Sequence, residues 1–511
     1  MGLGTTAAVA LTGLAGHVVE VQAQLAASVP GFTLVGLPDA ALSESRDRVR
    51  AAVLSSGIAW PNRKVTVNLS PASLRKSGSS FDLAVAIAVL AGNGDVPTAG
   101  LERVVHIGEL GLDGRIQPVR GVLPAVVAAV EAGYTDVVVA AGDADEARLV
   151  PGARVHGATT LAEVVQRHGG TVDRVPDVDP VLPPRPALRG RPIGDLADVV
   201  GQAQAREALE VAAAGGHHVL LVGPPGAGKT MLASRLPGIL PDLTEPEAVE
   251  VTAVHSIAGT FDPGQGLLTR PPFEDPHHTA TPAAVVGGGS GLPRPGAASR
   301  AHRGVLFMDE APEFSSRVLE TLRQPLEQGE LVIHRSGGAA RFPARFQLVL
   351  AANSCPCGKG DGKGLDCVCT PMAKRRYFGR LSGPLLDRVD VQVNVRAISR
   401  ADRVLATRGE PTAAVAGRVA AARAAARSRL AQTPWSTNAE VPGPWLRERL
   451  GSDRRLLQPI ERGIDRGTLS LRGADRVLRI AWTLADLAGR EAPSGADVDA
   501  AISLRSRGSH D

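Results

Sequence analysis

The stretch Leu220-Leu221-Val222-Gly223-Pro224-Pro225-Gly226-Ala227-Gly228-Lys229-Thr230 constrains this chain more than any other. Its apolar start predicts a strand, the glycine-rich run a tight loop, and the residues from Met231 a helix. A chain of phosphates carries several negative charges. Holding it takes backbone N–H groups that converge with no side chains between them. Glycines at 223, 226 and 228 permit that nest, and the helix N-terminus adds partial positive charge. Gly223, Pro224, Pro225, Gly226, Ala227 and Gly228 are therefore the expected phosphate cradle. Lys229 is placed to reach the β- and γ-phosphates, and the Thr230 hydroxyl to ligate Mg²⁺. The chain has only six lysines in 511 residues, so a chance match to G-x-x-x-x-G-K-T is rare. These residues predict a nucleotide site that takes ATP and Mg²⁺.

Phosphoryl transfer also needs acids that place the metal and the attacking water. Gly304-Val305-Leu306-Phe307-Met308-Asp309-Glu310 supplies them as a buried strand ending in two carboxylates. Asp309 is expected to hold Mg²⁺ through its water shell, and Glu310 to orient or deprotonate water. Such a strand end is common alone, but it gains weight some eighty residues after a sound phosphate loop.

The four cysteines all fall between 355 and 369, which argues against a disulfide-stapled secreted protein. Cys355-x-Cys357 and Cys367-x-Cys369 flank a glycine-rich loop able to fold both pairs round one ion. Four thiolates suit tetrahedral Zn²⁺, with free or redox-active thiols as the alternative. No apolar run reaches membrane-span length. Residues 4–16 are small and apolar without a preceding cation, which predicts a strand rather than a signal peptide. A cytoplasmic protein is expected. Net charge is only +4, but the cations cluster, so local basic surfaces matter more than the total.

The length suggests two to four domains. Residues 1–170 predict an α+β domain, with strands at Gly16–Val21, Thr33–Val35, Val65–Asn68, Val104–Gly108 and Asp136–Ala140 and helices at Ala40–Ser56, Phe81–Leu90 and Gly121–Ala132. Residues 171–194 are a proline-rich linker. The arginines of Ala413–Leu430 (Arg418, Arg423, Arg427, Arg429) are expected on a solvated helix face.

The order of elements in 1–170 resembles the Lon-protease-type fold that precedes the motor in one AAA+ family. The residues behind this likeness are Arg75–Leu83, Gly108-Glu109-Leu110 and Val119–Leu123. Active Lon-type peptidases use a Ser–Lys dyad. Ser80 falls at the serine position, but Leu123 stands where the lysine belongs, and no lysine occurs between Lys76 and Lys229. A serine without a base is a poor nucleophile, so a non-catalytic assembly or docking domain is expected.

Further on, Asp195–Gln202 resembles the segment lining the adenine pocket of AAA+ ATPases, with a plain helix cap at Asp195 as the alternative. Asn353, after the strand Phe346–Ala352, matches the sensor-1 position. Leu381–Asp390 resembles the arginine-finger segment, which implies that Arg388 reaches a neighbouring subunit's nucleotide; an intrachain pair with Asp387 or Asp390 is the alternative. Ser470-Leu471-Arg472 resembles sensor 2, with Arg472 contacting the γ-phosphate from the lid and Arg476 and Arg479 on adjacent turns.

Two insertions, Pro272–Ala301 and the hairpin Gly329–Arg345, resemble the helix-2 insert and pre-sensor-1 hairpin of magnesium chelatase and the MCM helicases. In the first, His277-His278 is expected to be structural rather than metal-binding. Over essentially its whole length the chain is similar to the ComM/YifB family of magnesium-chelatase-like proteins. That resemblance implies an α/β multidomain fold. It comprises a Lon-protease-like domain (1–170), the linker (171–194), an AAA+ P-loop core with both insertions (195–400) and a helical lid (401–511). It also implies a hexamer that moves single-stranded or branched DNA, with Arg335, Arg341 and His334 on the DNA backbone. The alternative is an ATPase that drives metal insertion or protein remodelling without DNA.

Overall fold

Period-two burial builds the first sheet. From Val19 onward every second residue of Ala15–Ala26 is buried, and Lys64–Ser70 buries Val65, Val67 and Leu69 in the same rhythm, as a half-covered sheet requires. The two strands pair antiparallel from Glu20↔Ser70 to Ala26↔Lys64. The computed structural model describes residues 2–36, 40–74, 76, 78–184, 194–289, 293–335, 338–360, 367–398, 409–450 and 454–506. Within it the first sheet has seven strands, in the order Gly31–Val35, Lys64–Ser70, Ala15–Ala26, Gly2–Thr12, Val104–Ile107, Asp136–Ala140, Arg154–Ala158. The last of these, and the helix Leu161–Arg167 after it, lie beyond what the apolar patterning predicts.

Helix Asp82–Asn93 buries every residue from Asp82 to Gly92, because it is covered by the sheet on one side and other elements around it. Its Asp82 is fully buried, and Arg48 answers it with hydrogen bonds of 2.6 and 3.1 Å. Leu123, where a dyad lysine would stand, is fully buried. Ser79 donates to Glu109, and buried Lys76 donates to the Pro71 carbonyl.

A second sheet runs Phe273–Glu274, Val305–Met308, Gln347–Ala352, Val219–Val222, Val391–Asn394, with every pairing parallel. Its three central-most strands are buried along their whole length, as a sheet covered on both faces demands. The chain is thus mixed α/β with more than one core.

The C-terminal helices pack on this second core. Thr412–Leu430 lies against Ala203–Gly215 and Leu471–Leu487. Three of its four arginines depart from the expected solvated face, while Arg427 is exposed as expected. Arg418 forks onto Glu210 and Glu410, Arg429 onto Asp486, and Arg423 donates to the Ala213 carbonyl. Small alanines let neighbouring helices approach, so Arg418, Arg423 and Arg429 reach acids and a carbonyl on them.

The two sheet units touch. Helix Val122–Glu131 packs on Glu245–Ala258, and Ala253 joins the apolar cluster of the first unit. Beside this contact Asp143 is buried with Val119 N–H donating to it at 2.8 Å. Burial pushes its carboxyl up to about 7, and neighbouring Glu146 adds to the effect.

From its ordinary value of 3.8 up to about 7, the folded chain keeps a proton that the unfolded chain gives up. Stability from this group therefore falls as pH rises through that window. Asp143→Asn retains an acceptor for Val119 and removes the titration. In thermal denaturation the wild type should lose ground to Asp143→Asn between about pH 4 and 7; parallel melting curves would contradict a buried neutral acid.

Candidate nucleotide site

The phosphate loop follows Val219–Val222, an inner strand flanked by Gln347–Ala352 and Val391–Asn394. Gly226 and Gly228 adopt φ of 75° and 93°, a region in which side chains are costly. A Cβ on Gly223 would lie 2.1 Å from the Val395 carbonyl oxygen, so only glycine fits there. The helix opens at Lys229, two residues ahead of the expected Met231, because left-handed Gly228 already serves as its cap.

Lys229 is 7% exposed. Its ammonium donates to the Gly223 carbonyl at 2.7 Å, the Pro224 carbonyl at 2.9 Å and Asn353 Oδ1 at 3.0 Å. Thr230 Oγ1 donates to Asp309 Oδ2 at 2.6 Å, and Glu310 N–H donates to Asp309 Oδ1 at 2.9 Å. A hydroxyl and a carboxylate side by side, one residue from the lysine, are the hard oxygen donors that Mg²⁺ takes. Asn353 N–H in turn donates to the Tyr377 hydroxyl oxygen at 3.2 Å. Burial, helped by Glu313, Glu310 and Cys355 nearby, pushes the Tyr377 phenol up to about 12, so it keeps its proton.

Glu310 stands at φ 51° with its side chain half exposed. Its Oε2 lies 3.2 Å from His278 Nδ1. Nothing in the spacing of His277-His278 singles out this contact. It arises because Phe273–Glu274 pairs in parallel with Val305–Met308, which brings the two strand exits together. His278 is a candidate positioning residue for Glu310.

Gln202 donates to the Ala227 carbonyl at 3.2 Å and the Arg396 carbonyl at 2.6 Å, and so reaches the phosphate loop. Asp195 accepts from Ala197 N–H at 2.8 Å and from Thr412 N–H at 2.9 Å, which ties the segment to the start of the C-terminal helices.

Two expected arginines lie elsewhere. Asp390 N–H bonds the His218 carbonyl, just before Val219 and Val391 pair. Arg388 and Asp390 are therefore at the opposite end of the parallel sheet from Gly223, a strand length of roughly 13 Å away. Arg388 pairs with Glu327, rather than with Asp387 or Asp390, and also donates to the Pro384 carbonyl. Arg472 is 75% exposed and pairs with Asp387 at 3.4 Å; Arg476 pairs with Asp390. Arg472 thus does not join its own chain's Lys229 site. It lies close enough to Arg388, as does Arg323, to disfavour the Arg388 charge, on top of the effect of burial.

The hairpin pairs Glu330–Arg335 with Gly338–Pro343. Arg341 is exposed and forms a 2.9 Å ion pair with Glu330, His334 is exposed, and the Arg335 side chain lies outside the described residues. Midway along it, Leu14 N–H of the first unit donates to the Arg341 carbonyl at 3.2 Å. The four cysteines come together with their sulfurs within 4.8 Å of one another.

A glycine loop leaving an inner strand of a parallel sheet, with an asparagine at the end of the next strand and an acid pair at the end of the one beyond, defines a P-loop protein. Residues 195–403 match the family described as magnesium chelatase, subunit ChlI. Residues 19–143 match the description "subunit ChlI of Mg-chelatase", and 409–505 the ChlI C-terminal family. An uncharacterized protein of Mycobacterium tuberculosis is 53% identical over 99% of both chains. The competence protein ComM of Haemophilus influenzae is 38% identical over 94% of this chain and 92% of its own. YifB of Escherichia coli is 38% identical over 95% and 94%. The chain belongs to the ComM/YifB family of magnesium-chelatase-like proteins. No helix among the described residues is long and apolar enough to cross a membrane.

Two substitutions test the acid pair. Glu310→Gln should keep nucleotide binding and lose turnover by about 10²–10⁴-fold, read as phosphate release beside an ATP-binding isotherm. If the His278–Glu310 contact orients a base, His278→Ala should lower kcat by about tenfold with little change in KM; His278→Asn, which keeps a donor, should recover part of the loss.

Proposed function

We propose that this chain is an ATP-hydrolysing AAA+ motor that assembles into a ring, most simply a hexamer, and translocates DNA in the cytoplasm. The reading takes 1–170 as a non-catalytic Lon-like docking domain, 195–400 as the motor core and 401–511 as its lid. Lys229, with the N–H groups of the Gly223–Gly228 loop, would bind the phosphates. Thr230 and Asp309 would hold Mg²⁺, which supplies charge neutralisation of the phosphates. Glu310, steered by His278, would take the proton of the attacking water, and Asn353 would keep Lys229 aimed.

The observation behind the ring is the split between the two ends of one sheet. The phosphate loop is at one end; Arg388 and Arg472 are grouped at the other with Asp387 and Glu327. An arginine that stabilises phosphoryl charge from there acts on the next subunit, in a head-to-tail interface that closes into a ring. Breaking the Arg388–Glu327 pair on assembly would free the guanidinium for that task.

DNA is the expected cargo because the hairpin presents exposed Arg341 and His334, and because the competence protein ComM is a full-length relative; Arg335 is proposed as a third contact from the sequence alone. Such contacts are to phosphates and fade with salt. Zn²⁺ at the four thiolates completes the cofactor set.

ATP hydrolysis measured with and without single-stranded and branched DNA decides between motors. Stimulation by DNA that disappears at high salt is expected; hydrolysis indifferent to DNA would favour a metal-insertion or remodelling ATPase instead. Shared sites predict complementation. Lys229→Ala and Arg388→Ala should each be inactive alone, and a random mixture should regain about a quarter of the intact interfaces, seen as returning phosphate release. No recovery would place Arg388 outside the reaction.

A further inference from the structure

The proposed reaction makes no use of the cysteines, yet their geometry is specific. Sulfur separations are 3.3 Å for Cys355–Cys357, 3.6 Å for Cys355–Cys367 and 3.8 Å for Cys357–Cys367, and all four cysteines, Cys369 included, are free. A disulfide holds its sulfurs at about 2 Å. Four thiolates at about 2.3 Å from one Zn²⁺ form a tetrahedron with edges of about 3.8 Å. The three separations lie at or somewhat below that edge, and all four sulfurs fall within 4.8 Å of one another, close enough to share one ion.

The cluster borders the phosphate site on three sides. Cys355 follows Asn353, the acceptor for Lys229, by two residues. Gly358 turns at φ 74°, donates its N–H to the Cys355 carbonyl at 3.0 Å, and packs so closely on Pro225 that a Cβ would lie 2.6 Å from the proline ring. Directly after Cys369, Thr370 caps the helix Pro371–Gly379, whose Tyr377 hydroxyl accepts from Asn353 N–H. The tip of the phosphate loop, the asparagine that holds its lysine and the helix behind that asparagine are therefore all linked through these four sulfurs.

We propose that Cys355, Cys357, Cys367 and Cys369 bind one Zn²⁺ and that this ion sets the chain's affinity for ATP by bracing Pro225 and Asn353. The proposal rests on the nucleotide-site reading, but on neither DNA nor ring assembly. Metal analysis of reduced protein should find about one Zn²⁺ per chain. Titration with a thiol-binding mercurial in the presence of a chromogenic zinc chelator should release that zinc. It should also weaken binding of a fluorescent ATP analogue about tenfold or more, measured in Glu310→Gln so that hydrolysis does not intervene. Excess thiol plus Zn²⁺ should restore both. Gly358→Ala should keep its zinc and still lose affinity, because the clash with Pro225 uncouples the brace without touching a ligand. Protein free of zinc, protein carrying iron, or zinc release without a change in ATP affinity would each overturn the proposal. Zinc-dependent ATP binding in a chain that DNA never stimulates supports the brace and counts only against the DNA motor.

Discussion

A buried ammonium dictates the arrangement of the site. Lys229 is nearly out of solvent, and an unpaired charge there would cost several kcal/mol. It is satisfied by two carbonyls of its own loop and by Asn353. The third acceptor comes from another strand, so the loop and that strand must end level with each other. Parallel register ensures it: Val222 pairs with Ala352, and Met308 with Leu350. The loop, Asn353 and the Asp309-Glu310 pair therefore leave the sheet at one edge, the place where open α/β sheets gather their ligands.

The other edge of the sheet is held by a different network. His217 bridges Asp390 at 3.2 Å and Thr483 at 2.8 Å, and Asn438 joins Thr483 to Asp486, which Arg429 grips with both nitrogens. Burial alone would raise the Asp390 carboxyl, but His217 and Arg476 hold it well below the usual carboxylate range. Burial pushes His218 down to about 4, so it stays neutral and accepts the Leu348 N–H. Such a buried network fixes one orientation of the C-terminal helices on the sheet. It also anchors the residues around Arg388 and Arg472, far from the phosphate edge.

The first unit is attached through the same pieces that decorate the nucleotide core. Helix Glu245–Ala258 joins its apolar cluster, and the turn after Gly2–Thr12 meets the hairpin at Arg341. Gly13, at φ 66°, permits that approach, since a Cβ would lie 2.3 Å from the Arg341 carbonyl oxygen. The middle of the hairpin is therefore tied to the first unit by backbone contact.

Local sequence alone determined the phosphate loop, because glycine spacing and a single lysine answer directly to the geometry of phosphate. It likewise determined the buried strand before Asp309 and the pairing of Glu330–Arg335 with Gly338–Pro343. Tertiary structure decided the partners. His278 meets Glu310 only because a two-residue strand aligns beside another, and no periodicity encodes that neighbour. Arg388 turns to Glu327 rather than to the adjacent acids, and Arg418 and Arg429 fork onto acids of neighbouring helices. A charged side chain reaches several ångströms, so its partner is set by which backbone the fold brings within that radius. Sequence distance carries no such information.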